Sequence, residues 1–246
     1  MQSDNPTAAI LVIGDEILSG RTREGNAHHL SQVLNSIGID LREVRIVADD
    51  QDQIVKSIRA LDKSLGGRWD MLFTSGGIGP THDDITADAV AEAFNTGIEI
   101  NEEARAVMTA RWQARGVEIT GNRLRMARIP LGATLIPNAH SAAPGFHIGN
   151  TYVMAGVPEV FRVMVEAVIP GLPTGRPSVS EALEVMRPES DVADGLREVA
   201  EAYPDLSMGS YPFQAGQRYG TNLVIRGQDG QRVSDAMTAL RARLAL

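Results

Sequence analysis

A chain of 246 residues, 43% hydrophobic and 22% charged, has the balance of an ordinary globular protein that buries a core, which excludes a disordered polyelectrolyte. Its net charge of −8, from 31 acidic residues against 23 Lys plus Arg, argues against a nucleic-acid partner. With no cysteine, disulfide frameworks, thiolate metal sites and thiol catalysis are all excluded.

Residues 1–7 are polar and lack the basic-then-apolar order of a secretion signal, and no apolar run reaches membrane-spanning length. A cytoplasmic protein without membrane contact is the expectation. Ala8 to Ile13 is an unbroken apolar run closed by Gly14, the pattern of a strand buried on both faces of a parallel sheet. Asn26 is placed to cap a helix in which Leu30, Val33, Leu34 and Ile37 recur at helical spacing until Gly38. Leu41 to Val47 reads as a second strand. Ile54, Val55, Ile58, Leu61 and Leu65 mark the next helix, ended by Gly66 and Gly67. A third strand, Asp70 to Thr74, runs directly into Ser75-Gly76-Gly77-Ile78-Gly79-Pro80, followed by a helix carrying Ile85, Val90 and Phe94.

This β-α-β-α-β-α order predicts an α/β fold with a mostly parallel sheet and right-handed crossovers. A helix over Asn101 to Arg115, short strands at Ala133 to Ile136, Phe146 to Ile148 and Tyr152 to Met154, and a helix from Glu159 to Val168 complete it. Pro170 to Pro177 is rich in Pro and Gly and reads as a linker, dividing the chain into domains 1–172 and 173–246. Beyond it the pattern β-α-β-β-α (Ala182 to Met186, Val192 to Ala202, Leu206 to Tyr211, Thr221 to Arg226, Val233 to Leu244) suits a small α+β domain with an antiparallel sheet.

In an open parallel sheet, ligands sit beyond the carboxyl ends of the strands, and there the sequence places acids. Asp15 and Glu16 follow the first strand, Asp49 and Asp50 the second, and Asp83 and Asp84 lie in the turn after the third. Carboxylates gathered on one rim repel unless a cation or backbone donors offset them, and Mg²⁺ or another hard divalent ion fits an all-oxygen set that also contacts phosphate. The phosphate has its own receptor. Glycines in Ser75 to Gly79 let consecutive N–H groups point into a concavity, the next helix adds its positive end, and the hydroxyls of Ser75, Thr81 and Thr86 are available as donors. The turn is neither a dinucleotide fingerprint nor a P-loop, since Gly79 is followed by Pro80 and Thr81 and no Gly-Lys-Ser/Thr occurs. An alternative use of the same residues is structural, with Thr81 and Asp84 forming a capping box and Asp83 and Asp88 serving the helix dipole.

Gly14-Asp-Glu-Ile-Leu-Ser-Gly20, Thr74-Ser-Gly-Gly-Ile-Gly-Pro-Thr-His-Asp-Asp-Ile-Thr86, and Ala143-Pro144-Gly145-Phe146 with Ala155-Gly156-Val157-Pro158 resemble the molybdopterin-binding domain of the MoaB/Mog type. The spacing resembles most closely its variant in the competence/damage-inducible protein A (CinA) family. The likeness covers roughly Ala8 to Pro170, and the tail, with Gly209-Ser-Tyr-Pro212, looks like the small domain that follows in that family. The resemblance implies a three-layer fold that binds a pterin or nucleotide such as molybdopterin, with a role in molybdenum-cofactor biosynthesis. It also implies, for CinA-like members, metal-dependent cleavage of the pyrophosphate of ADP-ribose, FAD or a related dinucleotide; with molybdopterin bound instead, the carboxylates would serve adenylyl transfer or orient the ligand. Carried over by position, it makes Asp49 and Asp84 catalytic and metal-binding and brings in Asp83 as an acid of the motif, catalytic as the acceptor of a proton from the attacking water, a task Glu16 could also serve. It makes Gly14, Asp15, Glu16, Ser75 to Thr81, Thr86, Pro144, Gly145, Gly156 and Pro158 the ligand-binding set.

Homo-oligomers are expected, because members of the family associate. The nicotinamide-nucleotide deamidase domain of longer members is not expected here. Two positions depart from the family pattern: Met154-Ala155-Gly156-Val157-Pro158 stands where Leu-Pro-Gly-Val-Pro is usual, and Asn122-Arg-Leu-Arg-Met-Ala127 replaces Asn-x-x-Gln-Ala. The lost glutamine favours binding over hydrolysis and leaves Arg123 or Arg125 as a phosphate contact. A non-catalytic sensor of the same ligand is a third reading.

Overall fold

The computed structural model describes residues 5–118, 120–141, 143–216 and 218–246, which divide into two compact units, residues 5–175 and residues 176–246. In the larger unit the apolar run forms β1 (Thr7–Ile13), whose successive side chains leave it in opposite directions. There follow α1 (Asp15–Leu18), α2 (Asn26–Ser36), β2 (Asp40–Val47), α3 (Gln51–Leu61), β3 (Met71–Ser75), α4 (Thr86–Ala93), β4 (Ile98–Ile100) and α5 (Glu102–Gln113). Then come α6 (Gly121–Leu124), β5 (Arg128–Pro130), β6 (Thr134–Ile136), β7 (Gly145–Ile148), β8 (Thr151–Met154) and α7 (Pro158–Val168).

Six of these strands form one sheet in the order β2-β1-β3-β8-β7-β6, and β4 pairs with β5 apart from it. β1 is parallel to β2 and β3, and β3 is parallel to β8. Only β7 runs against its neighbours, so the sheet is mostly parallel, as the alternating order predicts. The two faces of β1 seed two cores. Ala8, Ile10 and Val12 pack with Leu30 and Leu34 of α2 and with Phe161 and Met164 of α7. Ala9, Leu11 and Ile13 pack with Ile54 and Ile58 of α3 and Ala89 and Val90 of α4. Helices therefore cover both faces, giving three layers.

The start of α2 corrects one expectation. Gly25 is the residue before the helix, and the Glu24 carboxylate accepts from the N–H of Asn26 at 2.9 Å and of Ala27 at 3.0 Å. With a carboxylate already capping the helix, Asn26 lies inside its first turn and points its own amide into the protein, where it is buried.

Asp70 ties the start of β3 to β1, accepting from the N–H and hydroxyl of Thr7 at 2.9 and 2.6 Å and from Lys63 Nζ at 2.6 Å. The Lys63 ammonium and the two Thr7 donors hold its carboxyl at about 2, below the ordinary value of 3.8. A carboxyl depressed in the folded state stabilises only while ionised, so its contribution is full above pH 4 and fades as pH falls towards 2. Asp70→Asn is expected to be less stable than the parent by about 1 kcal/mol at neutral pH, a figure kept small by solvent screening. That gap should close between pH 4 and 2 in urea titrations followed by tryptophan fluorescence.

The smaller unit contains β9 (Val179–Val185), α8 (Glu189–Ala202), β10 (Ser207–Ala215), β11 (Arg218–Gly227) and α9 (Gly230–Arg243). Its antiparallel sheet has the order β10-β11-β9. Val192 and Val199 of α8 and Val233 and Leu240 of α9 cover Leu183, Leu223 and Ile225 on one face. The expected strand from Leu206 stopped at Tyr211, but β10 continues through Pro212. An edge strand tolerates a residue without an N–H on its outer side. Among the described residues no helix is long and apolar enough to cross a membrane.

Candidate functional site

The chain passes from β1 outwards to β2 and then back across to β3, so connections diverge on either side of the β1/β3 pair, and a crevice opens beyond the carboxyl ends of those strands. A cleft of about 560 Å³ occupies that place. Its walls include Glu16 after β1, Gly76 to Pro80 after β3, Asp84, and Ala155 to Pro158 after β8. Met126, Val160 and Met164 add apolar surface, and Asn138 and Ser141 add polar atoms. The size and the mix suit a small molecule with a flat apolar part and a polar end.

The floor is the glycine turn, whose shape is forced by contacts that admit no side chain. Gly76 has φ +112°, and a Cβ there would stand 2.1 Å from the carbonyl oxygen of Ile13; at Gly77, φ is +68°. The Gly76 N–H donates to Met154 O, and the Thr86 hydroxyl and N–H donate to the carbonyls of Gly76 and Gly77, each at 3.0 Å. Asp84 closes the turn from the other end. Its Oδ1 accepts from Gly79 N at 2.7 Å, and its Oδ2 accepts from the N–H and hydroxyl of Thr81 at 2.8 and 2.5 Å. Among the described residues, the N–H groups of Gly77 and Ile78 have no hydrogen-bond partner. Two adjacent main-chain donors on residues that border the cleft are therefore unpaired.

These contacts sort the anticipated residues. Gly77, Ile78, Gly79, Pro80, Asp84, Gly156 and Pro158 line the cleft together with Glu16. Ser75 and Thr86 are buried, and their hydroxyls serve the protein: Ser75 Oγ accepts from Asn26 Nδ2 at 2.8 Å, and Thr86 holds the turn. The Thr81 hydroxyl likewise donates to Asp84, so the Thr81 and Thr86 protons are both spent inside the protein. Gly14 is buried, with its N–H on Val47 O, and Gly145 is buried where a Cβ would stand 2.4 Å from Val153 O. Pro144 lines a smaller hollow behind the turn rather than the cleft. His82 is almost fully exposed.

The six acids do not form one cluster. Asp50 caps α3 through Gln53 N, and Asp84 is engaged with the turn. Asp49 accepts from the N–H of Asp15 at 2.9 Å. Burial pushes its carboxyl above the usual range. The Asp15 N–H works against that shift, while the charges of Asp15, Glu16 and Asp83 add to it. Three acids, Asp15, Glu16 and Asp83, thus act on Asp49. Among the described residues no three His, Asp or Glu side chains converge in a geometry that would hold a metal ion.

Asn26 is the residue that sequence reasoning misassigned. Its Nδ2 donates to both Ser75 Oγ and Gly156 O at 2.8 Å, joining α2, the end of β3 and the turn after β8. Of the two arginines proposed as phosphate contacts, Arg123 reaches Glu118 O and lies over the Trp112 ring at 5.7 Å. Arg128 forms a two-pronged pair with Asp88. Arg125 has no partner for its buried Nε among the described residues, and it lines the hollow behind the turn.

Comparison with known proteins matches residues 9–174 to the family described as "Probable molybdopterin binding domain" and residues 177–246 to "FAD synthase, middle domain". The chain is 36% identical over 221 residues to a protein of Pyrobaculum arsenaticum, covering 85% of this chain and 82% of that one. It is 30% identical over 264 residues to a "Probable FAD synthase" of Caenorhabditis elegans, covering 97% of this chain and 50% of that one, so it spans half of that relative's length. A crystal structure of the protein CinA, of unknown function, from Thermoplasma acidophilum is similar at a TM-score of 0.61 and 30% identity. The match covers 69% of this chain and 99% of that one.

Proposed function

Because the chain belongs to the family of the "Probable molybdopterin binding domain", we propose that its cleft binds a flat-ringed small molecule whose phosphate rests on the N–H groups of Gly77 and Ile78. The observation that carries this reading is the pair of unpaired main-chain donors opening on an otherwise largely apolar cleft. An anion meets such donors with charge-assisted bonds, stronger than those that solvent makes to the half-buried turn. The α4 N-terminus adds favourable potential for the same anion. The ring then lies against Met126, Val157 and Pro158. Molybdopterin, a phosphorylated pterin, fits this description, and the family match supports a role in molybdenum-cofactor biosynthesis. A flavin nucleotide fits it too, in keeping with the FAD synthase relative.

Titration calorimetry with FMN and AMP against riboflavin and adenosine tests the reading. The phosphorylated member of each pair is expected to bind at least about tenfold more tightly, the effect of one or two charge-assisted hydrogen bonds. Equal affinities within both pairs, or no binding at millimolar concentration, would refute it.

A second reading, metal-dependent cleavage of ADP-ribose or FAD, is favoured by the negative charge gathered about Asp49. Its Oδ1 accepts no hydrogen bond among the described residues, so Asp49 with Asp15 or Glu16 suits a hard divalent ion; Asp84 would first have to release Gly79 and Thr81. Such an ion would supply charge neutralisation at the pyrophosphate. The chain's own part is to hold the phosphates on the turn and to offer Asp83 or Glu16 as proton acceptor. Release of AMP from ADP-ribose with Mg²⁺, Mn²⁺ or Co²⁺ distinguishes this reading from tight binding without turnover, which is what a sensor shows.

A further inference from the structure

The glycine turn is a thin partition between two hollows. On one side is the ligand cleft. On the other is a space of about 20 Å³, room for roughly one water, lined by Arg125, Arg128, Asp88 and Pro144. Gly77, Ile78, Gly79, Asp84 and Met126 border both. Arg125 and Met126 are consecutive, so one short helical turn presents a cation behind the partition and an apolar side chain in front of it.

Within the rear hollow the charges are unevenly committed. Arg128 and Asp88 neutralise each other through two bonds, and Asp84 spends both carboxylate oxygens on amides of the turn. The Arg125 guanidinium makes no hydrogen bond or ion pair with any described residue, and its Nε is buried. A buried guanidinium donor without an acceptor is a costly arrangement that a folded protein keeps only where something offsets it. A phosphate seated on Gly77 and Ile78 would meet a further problem, because the Asp84 carboxylate is bonded to Gly79, one residue on, and repels it.

We infer that Arg125 is the counter-charge for the ligand's phosphate, acting from behind the turn and offsetting Asp84, and so determines selectivity for phosphorylated ligands. This rests on the phosphate-binding reading of the cleft. The guanidinium cannot lose its proton at working pH, so the effect persists across the physiological range. Across a septum of one main-chain layer, with intermediate screening, a unit charge changes phosphate affinity by about tenfold to fiftyfold.

The test is the same pairwise titration, FMN against riboflavin and AMP against adenosine, on the parent protein and on Arg125→Gln and Arg125→Lys. Arg125→Gln is expected to lose about tenfold or more in affinity for FMN and AMP while riboflavin and adenosine bind as before. Arg125→Lys should keep most of the preference, because it keeps the charge. Raising salt should weaken FMN binding less in Arg125→Gln than in the parent. The unphosphorylated probes report on the fold of each variant, since a collapsed cleft loses both members of a pair together. An unchanged preference in Arg125→Gln, or an Arg125→Lys that still binds riboflavin and adenosine but has lost the preference for FMN and AMP, overturns the inference while leaving the phosphate reading intact. A parent protein that prefers no phosphorylated probe overturns both.

Discussion

Gly76→Ala is expected to disable the protein more severely than any other one-methyl change in the turn. The added Cβ would meet the main-chain carbonyl of Ile13, the last residue of β1, at 2.1 Å, and it would also have to adopt a φ of +112°. Neither obstacle can be relieved by rotating a side chain. Relief requires β3 and β1 to separate where they are paired through Val12 and Ser75, or the turn to be rebuilt. The expected destabilisation is at least about 3 kcal/mol, combining backbone strain with overpacking. Gly77→Ala makes a useful contrast, because its obstruction is the Thr86 hydroxyl, which can turn aside. It should fold with a smaller loss and bind FMN poorly. Both tryptophans, Trp69 and Trp112, lie in residues 5–175, so urea unfolding followed by their fluorescence reports on that unit alone. A Gly76→Ala midpoint equivalent to less than about 0.5 kcal/mol of loss would show that the β1/β3 end yields easily.

The second large effect lies far from the cleft in sequence, at Asp62. Its carboxylate is fully buried just after α3 and joins two connections. Oδ1 accepts from Ser64 N at 2.7 Å and Ser64 Oγ at 2.6 Å, and Oδ2 accepts from Asn150 N at 3.2 Å and Thr151 Oγ1 at 2.6 Å. Each oxygen thus faces one hydroxyl and one main-chain N–H. The hydroxyls can reverse, but the N–H groups cannot. Asp62→Asn must therefore set its NH₂ against a fixed donor whichever way it turns, and Asp62→Ala leaves two buried main-chain donors without acceptors. A loss of about 3–5 kcal/mol is expected for either variant. If Asp62→Asn unfolds at the parent's urea concentration, the carboxylate is not what holds the start of β8 to the end of α3.

The cores of both units were legible in the sequence because they depend on local pattern. An unbroken run such as Ala8 to Ile13 can satisfy a buried parallel strand and little else, and the spacing of Ile54, Val55, Ile58 and Leu61 identifies a helix face without reference to its partner. The turn at Ser75 to Gly79 was legible for the same reason, since clustered glycines signal a backbone that side chains would obstruct. What the sequence concealed was the direction in which polar side chains point. Ser75, Thr81 and Thr86 resemble ligand donors when read in a row. They become internal ties only once Asn26, Asp84 and the Gly76 carbonyl are brought beside them, and for Asn26 and Ser75 that juxtaposition spans 49 residues. Asn26 looked like a cap because helix starts favour asparagine, and nothing local reveals that Glu24 has taken that task. The acids were over-read likewise. Three pairs at strand ends suggested one rim, whereas Asp50 and Asp84 are occupied with main-chain donors, and of the others Asp15, Glu16 and Asp83 act on Asp49.

The two hydrogen bonds donated by Asn26, to Ser75 at the end of β3 and to Gly156 after β8, lock neighbouring strand ends together, and a Cβ built on Gly156 would stand 3.2 Å from the Gly76 Cα. That edge of the cleft is therefore set before any molecule arrives. Little ordering entropy is then lost on binding, so differences among guests should be expressed chiefly in how long each stays.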